Sequence, residues 1–463
     1  MAALSIEDVV RGTQGALVAG DLGVPVTGVS IDSRHLGIGE AFFAIQGPNR
    51  DGHGFLRDAA ARGAACLVVH NLPDDLPPSV PAILVDDTTR ALGRLAAYHR
   101  ARFTVPVAAV TGSNGKTTTK EMMAAVLGAL GPVLKPEGSF NNQWGLPLTL
   151  LRLGPEHKAL ALELGANTPG EIASLAAISR PTVGAVTVVS SAHTEFFGSL
   201  DGVAAEKSAL VRAIPPDGAV VLNADDPRVL AMHTQSRARV LYFGTRPGAD
   251  VFAAGPAEDD GDGLRFTLAA GTAERPVRLN FAGRHNVVNA LAAAGIGLAL
   301  GLSLEQIARG LEAARPAKGR CVWRRAGALR LLDDTYNANP ASVRAALETL
   351  RGARDARRLV VVLGDMLELG DLSPAAHREA GLAVAAMGAA EFVGVGRQAR
   401  LAVEAARGRG LAEAQHTATF EDTVALLLKR LAPGDAVLVK GSRGMRMERV
   451  VDALMARLGG EDG

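Results

Sequence analysis

The segment Gly112-Ser-Asn-Gly-Lys-Thr-Thr118 brings together the residue types that bind phosphate. Gly112 and Gly115 free the backbone so that its N–H groups can converge on anionic oxygens. Lys116 supplies a charge of the reach needed for β- and γ-phosphates, and Thr117 a hydroxyl for Mg2+. Ser113, Asn114 and Thr118 complete the set of expected nucleotide contacts. The apolar run Val107-Ala-Ala-Val110 reads as a buried strand in front of the loop, and a helix from about Lys116 to Leu130 follows it. A helix N-terminus adds a dipole that favours anions. The loop departs from G-x-x-x-x-G-K-[ST] at its first position, which is Val110.

Two further groups could share that crevice. Glu163 ends the apolar stretch Ala159–Glu163, at the strand end where α/β sheets place ligands. Alone it reads equally well as a surface charge; beside a phosphate loop it is a candidate Mg2+ carboxylate. His193 follows the apolar stretch Val183–Val189 and could reach the same place, although alone it reads as a polar loop histidine. Lysine is scarce in this chain, which uses arginine for most of its cations. Where it keeps lysine, at Lys116, Lys120, Lys135, Lys158, Lys207, Lys318, Lys429 and Lys440, a primary amine is a candidate requirement.

The elements that must position these groups read as alternating strands and helices. Strands are expected at Val26–Ile31, Ala41–Ile45 and Ala65–Val69, with helices over Phe55–Gly63 and Thr88–Arg102, and a first boundary near residue 104. Beyond it, strands over Ala159–Glu163, Val183–Val189, Ala219–Leu222 and Val240–Phe243 alternate with helices, which predicts a mostly parallel, doubly wound sheet. Ala254–Phe281 reads as a hairpin appendage, and Asn286–Leu302 as a buried helix. The segment 315–320 reads as a linker. Strands near Leu329–Leu332, Leu359–Leu363, Phe392–Val395 and Ala436–Val439 then rebuild an open α/β sheet. The expected domains are 1–104, 105–316 and 317–463, in keeping with about 150 residues per domain.

Composition narrows the function. With 49 Lys+Arg against 48 Asp+Glu there is no basic excess, and aromatics at 4% leave few stacking platforms, so nucleic acid is disfavoured as a partner. The longest apolar-plus-glycine run, Ala290–Leu302, is short of the ~18 residues of a membrane span. Met1–Val10 shows no basic region followed by an apolar core, so no signal peptide is visible. Cys66 and Cys321 are far apart in apolar surroundings and read as buried free thiols. The expectation is a cytoplasmic, monomeric, soluble protein.

Several segments carry a resemblance. Thr-Gly-Ser-Asn-Gly-Lys-Thr-Thr (111–118), Glu163-Leu-Gly-Ala-Asn167 and Ala192-His-Thr-Glu-Phe-Phe-Gly-Ser199 are similar to motifs of the ATP-dependent Mur ligases, which assemble the cytoplasmic peptide of peptidoglycan. So are Gly283-Arg-His-Asn-Val-Val-Asn289, Asp333-Asp-Thr-Tyr-Asn-Ala-Asn-Pro-Ala-Ser342 and Val439-Lys-Gly-Ser-Arg443, and at the N-terminus Asp32-Ser-Arg34 with Asp51-Gly-His53. The resemblance implies an α/β fold of three domains: a UDP-binding domain, a central P-loop ATPase-like domain with a mostly parallel sheet, and a C-terminal Rossmann-like domain. Ser139-Phe-Asn-Asn-Gln-Trp-Gly-Leu-Pro-Leu-Thr149 and Tyr336-Asn-Ala-Asn-Pro340 resemble the branch of the family that adds D-alanyl-D-alanine to UDP-N-acetylmuramoyl tripeptide.

The resemblance also implies roles. Lys116, Glu163, His193 and Lys207 are the expected catalytic group, with Thr117, Glu163, His193 and Lys207 holding two Mg2+ ions. Lys207 would carry a CO2-derived carbamate, which a guanidinium could not form; read alone, Lys207 is a solvated helix lysine. Ser208 and Val188 stand where the family often has an acid and an asparagine. Asn286 and Asn289 would hold adenine, and Arg320 and Asp334 would reach ATP from the third domain. Ser33, Arg34, Asp51, His53, Asn141 and Asn142 are expected on the UDP-substrate, and Asn337, Asn339, Ser442 and Arg443 on the dipeptide. The ligase of the preceding family step, a P-loop kinase or switch ATPase, and a silent nucleotide-binding scaffold are the alternatives.

Overall fold

The computed structural model of the chain describes residues 4–72, 80–138, 140–190, 194–261, 263–353 and 355–459. Among these residues the strands build three larger sheets in chain order, and Leu4–Ser5 pairs with Pro25–Val26 in a short antiparallel ribbon. The first sheet has the order Ala16–Ala19, Ala82–Leu84, Cys66–Val69, Glu40–Phe43, Gly28–Ser30. Its first pair is antiparallel and the others are parallel. The single strand predicted over Val26–Ile31 is split between ribbon and sheet. The chain changes partners at Thr27, whose N–H donates to Gly39 O at 2.8 Å.

Helix Thr88–Arg100 leads to the central sheet. Asp87 caps it by accepting from Arg90 N, and Ala91, Leu92, Leu95 and Ala96 line its buried face. At its end the Arg100 guanidinium donates to Ser179 O (3.1 Å) and Phe103 O (2.6 Å), which fixes the helix to the next domain.

The central sheet has ten strands. Val107–Thr111 lies between Ala159–Glu163 and Val183–Val186, all three parallel and all buried. Cover on both faces explains why these strands read as apolar runs with no alternation. The predicted strand Val183–Val189 stops at Val186, because the following residues turn to the phosphate loop: Ser113 N donates to Val188 O at 2.7 Å. The hairpin predicted in 254–281 forms from Leu264–Ala270 and Ala273–Leu279, but it is no appendage. Phe252 and Ala253 pair with Ala269 and Leu268, so the hairpin extends the central sheet. Leu264, Phe266, Leu268, Val277 and Leu279 bury one face in the same core as helix His285–Ala299. Full burial is worth ~1.5–3 kcal/mol for each such side chain, more than enough to hold the hairpin down.

The third sheet has the order Val322–Ala326, Leu329–Asp334, Asp435–Lys440, Arg358–Gly364, Glu391–Val395, Ala414–Thr417, parallel after an antiparallel first pair. Asn339 caps helix Pro340–Arg351, its Oδ1 accepting from Ser342 N at 2.9 Å, and proline follows at the first helical position, where its missing N–H costs nothing. Cys66 and Cys321 are buried free thiols, as expected; burial pushes the Cys66 thiol up to about 12. Among the described residues no helix is long and apolar enough to cross a membrane.

Candidate active site

The phosphate loop joins strand Val107–Thr111 to helix Lys116–Leu127 at the carboxyl edge of the central sheet. Gly115 caps that helix with φ 82°, and a Cβ there would collide with Asn289 Oδ1. Glycine is required at this position on both counts. The loop forms one wall of a cavity of about 930 Å3. Ser113, Asn114, Gly115, Lys116, Thr117 and Thr118 line it, with Glu163 from the neighbouring strand and Asn286 and Asn289 from helix His285–Ala299. The third domain closes it with Arg320, Asp334, Tyr336, Asn337, Asn339 and Lys440.

The cavity is lined by charges of both signs, Lys116, Arg228, Arg320 and Lys440 against Glu163, Glu171, Asp225, Asp226 and Asp334. Lys116 Nζ donates to Gly112 O at 2.9 Å. Loss of surrounding water holds its pKa below the ordinary lysine value; the Glu163 charge pulls it back and Arg320 adds to the lowering. Glu163 is 1% exposed. Its Oε1 accepts from Asn141 Nδ2 at 2.7 Å, whereas its buried Oε2 has no hydrogen-bond partner among the described residues. Leaving a buried carboxylate oxygen unmatched costs ~1–3 kcal/mol or more, so a cation is its natural complement. Among the described residues no three His, Cys, Asp or Glu side chains cluster as a ready-made metal site. The donors present are hard oxygens, Glu163 Oε2 and Thr117 Oγ1, which suit Mg2+ with its remaining positions filled by water or phosphate. Arg320 Nη2 donates to Thr117 Oγ1 at 2.9 Å, and its guanidinium stacks on the Tyr336 ring at 3.7 Å.

Lys207, on helix Leu200–Ala213, is buried at the margin of this site, outside the cavity's lining. Its Nζ stands 5.8 Å from the Phe197 ring centroid. Burial first, and the Lys116 charge second, depress its pKa to about 7, against opposing pulls from Glu206 and Glu171. Glu206 is itself engaged: its carboxylate caps helix Glu171–Ser179, accepting from Gly170 N (2.8 Å) and Ile172 N (2.7 Å). His193 lies outside the described residues.

The remaining predicted residues sort by geometry. Asn286 and Asn289 are buried side by side: Asn289 Nδ2 donates to Asn286 Oδ1 at 2.8 Å, and Asn286 Nδ2 to Ala282 O at 2.7 Å. Asp334 accepts from Lys440 Nζ at 2.5 Å and from Cys321 N at 3.1 Å. Ser33 and Arg34 line a second cavity of about 790 Å3, walled by the first domain and by Phe140, Leu148, Leu151 and Arg152. Arg34 pairs with Asp32 at 2.7 Å and holds that carboxyl well below the usual range.

Asp51 and His53, expected on the same substrate, are not in its lining. His53 uses both ring nitrogens internally, Nδ1 with Asp51 Oδ1 (2.7 Å) and Nε2 accepting from His70 N (3.2 Å). Asn141 and Asn142, assigned to the UDP-substrate, line the central cavity instead. Asn141 is held there by Glu163, and Asn142 by the turn before helix Gly145–Leu151, where Gly145 N donates to its Oδ1 at 2.9 Å.

Of the four dipeptide candidates, Asn337 and Asn339 line the central cavity, and Ser442 and Arg443 do not. Asn339 Nδ2 donates to Asn114 Oδ1 at 2.7 Å, so it touches the phosphate loop directly. Ser442 Oγ is occupied by Leu367 N (2.8 Å), and Arg443 pairs with Glu448 (3.0 Å). Trp144, Asp225 and Asp226 also line the central cavity and were missed. The signal for the two acids was available: they follow strand Ala219–Asn223 at the sheet edge that carries the loop.

Family models match three stretches of the chain: "Mur ligase family, catalytic domain" over residues 25–100, "Mur ligase middle domain" over 110–297, and "Mur ligase, glutamate ligase domain" over 319–443. A UDP-N-acetylmuramoyl-tripeptide–D-alanyl-D-alanine ligase from Mycobacterium tuberculosis is 38% identical over 477 aligned positions, covering 93% of this chain and 92% of its own. A crystal structure of MurF from Acinetobacter baumannii superposes with a TM-score of 0.90 at 34% identity, covering 99% of this chain and all of that one (100%). MurF ligase from Thermotoga maritima in complex with ADP gives a TM-score of 0.82 at 27% identity, over 93% and 97% of the two chains.

Proposed function

The chain belongs to the Mur ligase family, and from that premise we propose that it joins D-alanyl-D-alanine to UDP-N-acetylmuramoyl tripeptide in the cytoplasm, forming ADP and phosphate. The observation that carries the proposal is the convergence of three parts on one cavity. These are the phosphate loop, the half-satisfied Glu163 carboxylate, and third-domain groups hydrogen-bonded to the loop through Arg320–Thr117 and Asn339–Asn114. A ligase must hold ATP, an acid and an amine at one point, and residues from separate domains meeting there provide such a place.

Amide formation from a carboxylate needs the departing oxygen converted into a good leaving group. The terminal carboxylate oxygen of the tripeptide attacks the γ-phosphorus of ATP, the bond to the β–γ bridging oxygen breaks, and ADP leaves. The dipeptide amine, having lost its proton, attacks the carbonyl carbon of the resulting acyl phosphate. The tetrahedral intermediate collapses with expulsion of phosphate, which carries away the original carboxylate oxygen. No protein nucleophile takes part.

This chain's residues manage charge and position. Two anions, carboxylate and γ-phosphate, must approach, and Lys116 lies in the wall where its ammonium can exchange Gly112 O for phosphate oxygens. One removed electrostatic contact of this type costs ~10²–10³-fold in rate. Arg320, held flat by Tyr336, brings further positive charge from the third domain, where Lys440 is neutralised by its pairing with Asp334. Asn286 and Asn289 form the buried floor beside Gly115 and suit the base of the nucleotide. Thr117 and Glu163 would hold one Mg2+, and His193 with a carbamate on Lys207 a second, which would supply Lewis-acid polarisation and charge neutralisation of the phosphoryl oxygens. Lys207 suits carbamate formation, because its pKa of about 7 leaves a sizeable fraction of neutral amine to take up CO2. Ser33 and Arg34 hold the uridine diphosphate end in the first domain's cavity.

An isotope experiment tests the route. Tripeptide labelled with 18O in its terminal carboxylate should deliver one labelled oxygen to the released phosphate for each amide formed. Unlabelled phosphate would exclude an acyl phosphate and with it this mechanism.

A further inference from the structure

Lys120 is a lysine that the mechanism above leaves unused. It sits on the loop helix one turn beyond Lys116, and its side chain is fully buried. Its Nζ donates to Pro136 O at 3.2 Å and to Gly138 O at 2.9 Å, and pairs with Glu121 Oε1 at 2.8 Å. Those three acceptors match the three hydrogens of an ammonium. Burying such a group is costly unless every hydrogen is matched, and here each one is. The Glu121 carboxylate is matched in turn by Lys135. Three acceptors converging on one atom suit an ammonium and not the planar fork of arginine, which accounts for lysine in a chain that otherwise prefers arginine.

The two carbonyls belong to the segment that leads into Asn141. Phe140 N donates back to Glu137 O at 3.4 Å. Asn141 then makes two contacts at the end of strand Ala159–Glu163: its Nδ2 donates to Glu163 Oε1 (2.7 Å), and its carbonyl accepts from Gly165 N (2.9 Å). A Cβ on Gly165 would stand 2.8 Å from Asn141 Cγ, so the asparagine packs on bare backbone with no room to swing. One Glu163 oxygen is thereby fixed and the other left unmatched.

We infer that Lys120 is a positioning residue: by tying the 136–138 segment to the loop helix it seats Asn141 on Glu163 Oε1 and so reserves Oε2 for the divalent cation. The inference rests on the reading of Glu163 as a Mg2+ ligand given above. It makes one mechanical unit of the loop helix, which carries Thr117, and the strand that carries Glu163, so both candidate ligands hold a fixed spacing. Lys120 touches none of the reacting groups itself.

The test is a binding measurement on the full-length protein. The dissociation constant of β,γ-methylene-ATP is determined by calorimetry with Mg2+ and with EDTA, for wild type, Glu163→Gln, Lys120→Met, Asn141→Ala and the Lys120→Met/Asn141→Ala double variant. Lys120→Met should lose about tenfold of the Mg2+-dependent tightening, the scale seen when the partners behind metal ligands are removed. Its affinity in EDTA should stay within about twofold of wild type, and the double variant should be no worse than the poorer single one. Should Lys120→Met not fold, Lys120→Gln, whose shorter amide cannot hold both carbonyls, takes its place under the same criteria. An unchanged Glu163→Gln would overturn the metal reading and this inference together. A weakened Glu163→Gln beside a Lys120 variant with wild-type Mg2+ dependence would overturn the inference alone. So would equal losses with and without Mg2+, or additive losses in the double variant.

Discussion

The Lys116 charge lowers the proton affinity of Lys207, and the two lysines answer to removal in different ways. Lys116→Ala removes a cation from a cavity wall together with its hydrogen bond to Gly112 O, so the fold should survive while turnover falls by ~10²–10³-fold or more. A thermal melt matching wild type beside that rate loss is the expected pair of results. At Lys207 the proposed carbamate calls for a group that can become an anion. Lys207→Ala should be nearly inactive, and acetate at saturating Mg2+ should restore part of the rate by occupying the vacated space. Lys207→Arg should be as inactive as alanine and deaf to acetate, since its guanidinium stays charged. Full activity of Lys207→Arg would show that the position needs only a cation. Lys116 stood out in the sequence through the fixed spacing of the phosphate loop, whereas Lys207 was reached only through the family resemblance. The Asn141–Glu163 pair was not legible there, since a contact over 22 positions leaves no local trace.

The element that sets the site is the strand–loop–helix unit around Gly115. A residue with a Cβ there must adopt φ 82° and meet Asn289, at a cost of ~1–2 kcal/mol for the backbone alone. Gly115→Ala should therefore lower stability by at least that amount and abolish nucleotide binding, measurable by denaturant melts and calorimetry. The first-domain cavity gives a contrasting pair. Ser33 lines it, so Ser33→Ala should raise KM for the UDP-substrate about three- to tenfold and leave KM for ATP alone, the signature of lost uniform binding. His53 instead ties Asp51 to the backbone of His70, so His53→Ala should cost about 1–3 kcal/mol of stability with little change in either KM. Sequence motif alone put Ser33 and His53 in one class; burial and hydrogen bonds separate them. At this scale the alternation of strand and helix was readable along most of the chain, because fully buried parallel strands announce themselves as apolar runs. The hairpin at Leu264–Leu279 was seen as a hairpin, yet its attachment to Val251–Ala253 was not, because pairing partners are set by tertiary packing.

Across the whole molecule, three sheets present their loops to two cavities, and the chemistry depends on their assembly. Arg320 and Asn339 cross from the third domain to Thr117 and Asn114, and Arg330 Nη2 donates to Gly261 O at 2.7 Å. Phe140, Leu148 and Arg152 cross in the other sense, from the central domain into the first-domain cavity. Each cavity is thus lined by residues of more than one domain. The claim that the protein is an amide ligase is tested most directly by following ADP and product mass together. ADP release should require both UDP-N-acetylmuramoyl tripeptide and D-alanyl-D-alanine. The UDP-linked product should gain the mass of one dipeptide less one water for each ADP formed. ADP formed at full rate without the dipeptide, or a product heavier by a phosphate alone, would contradict the account.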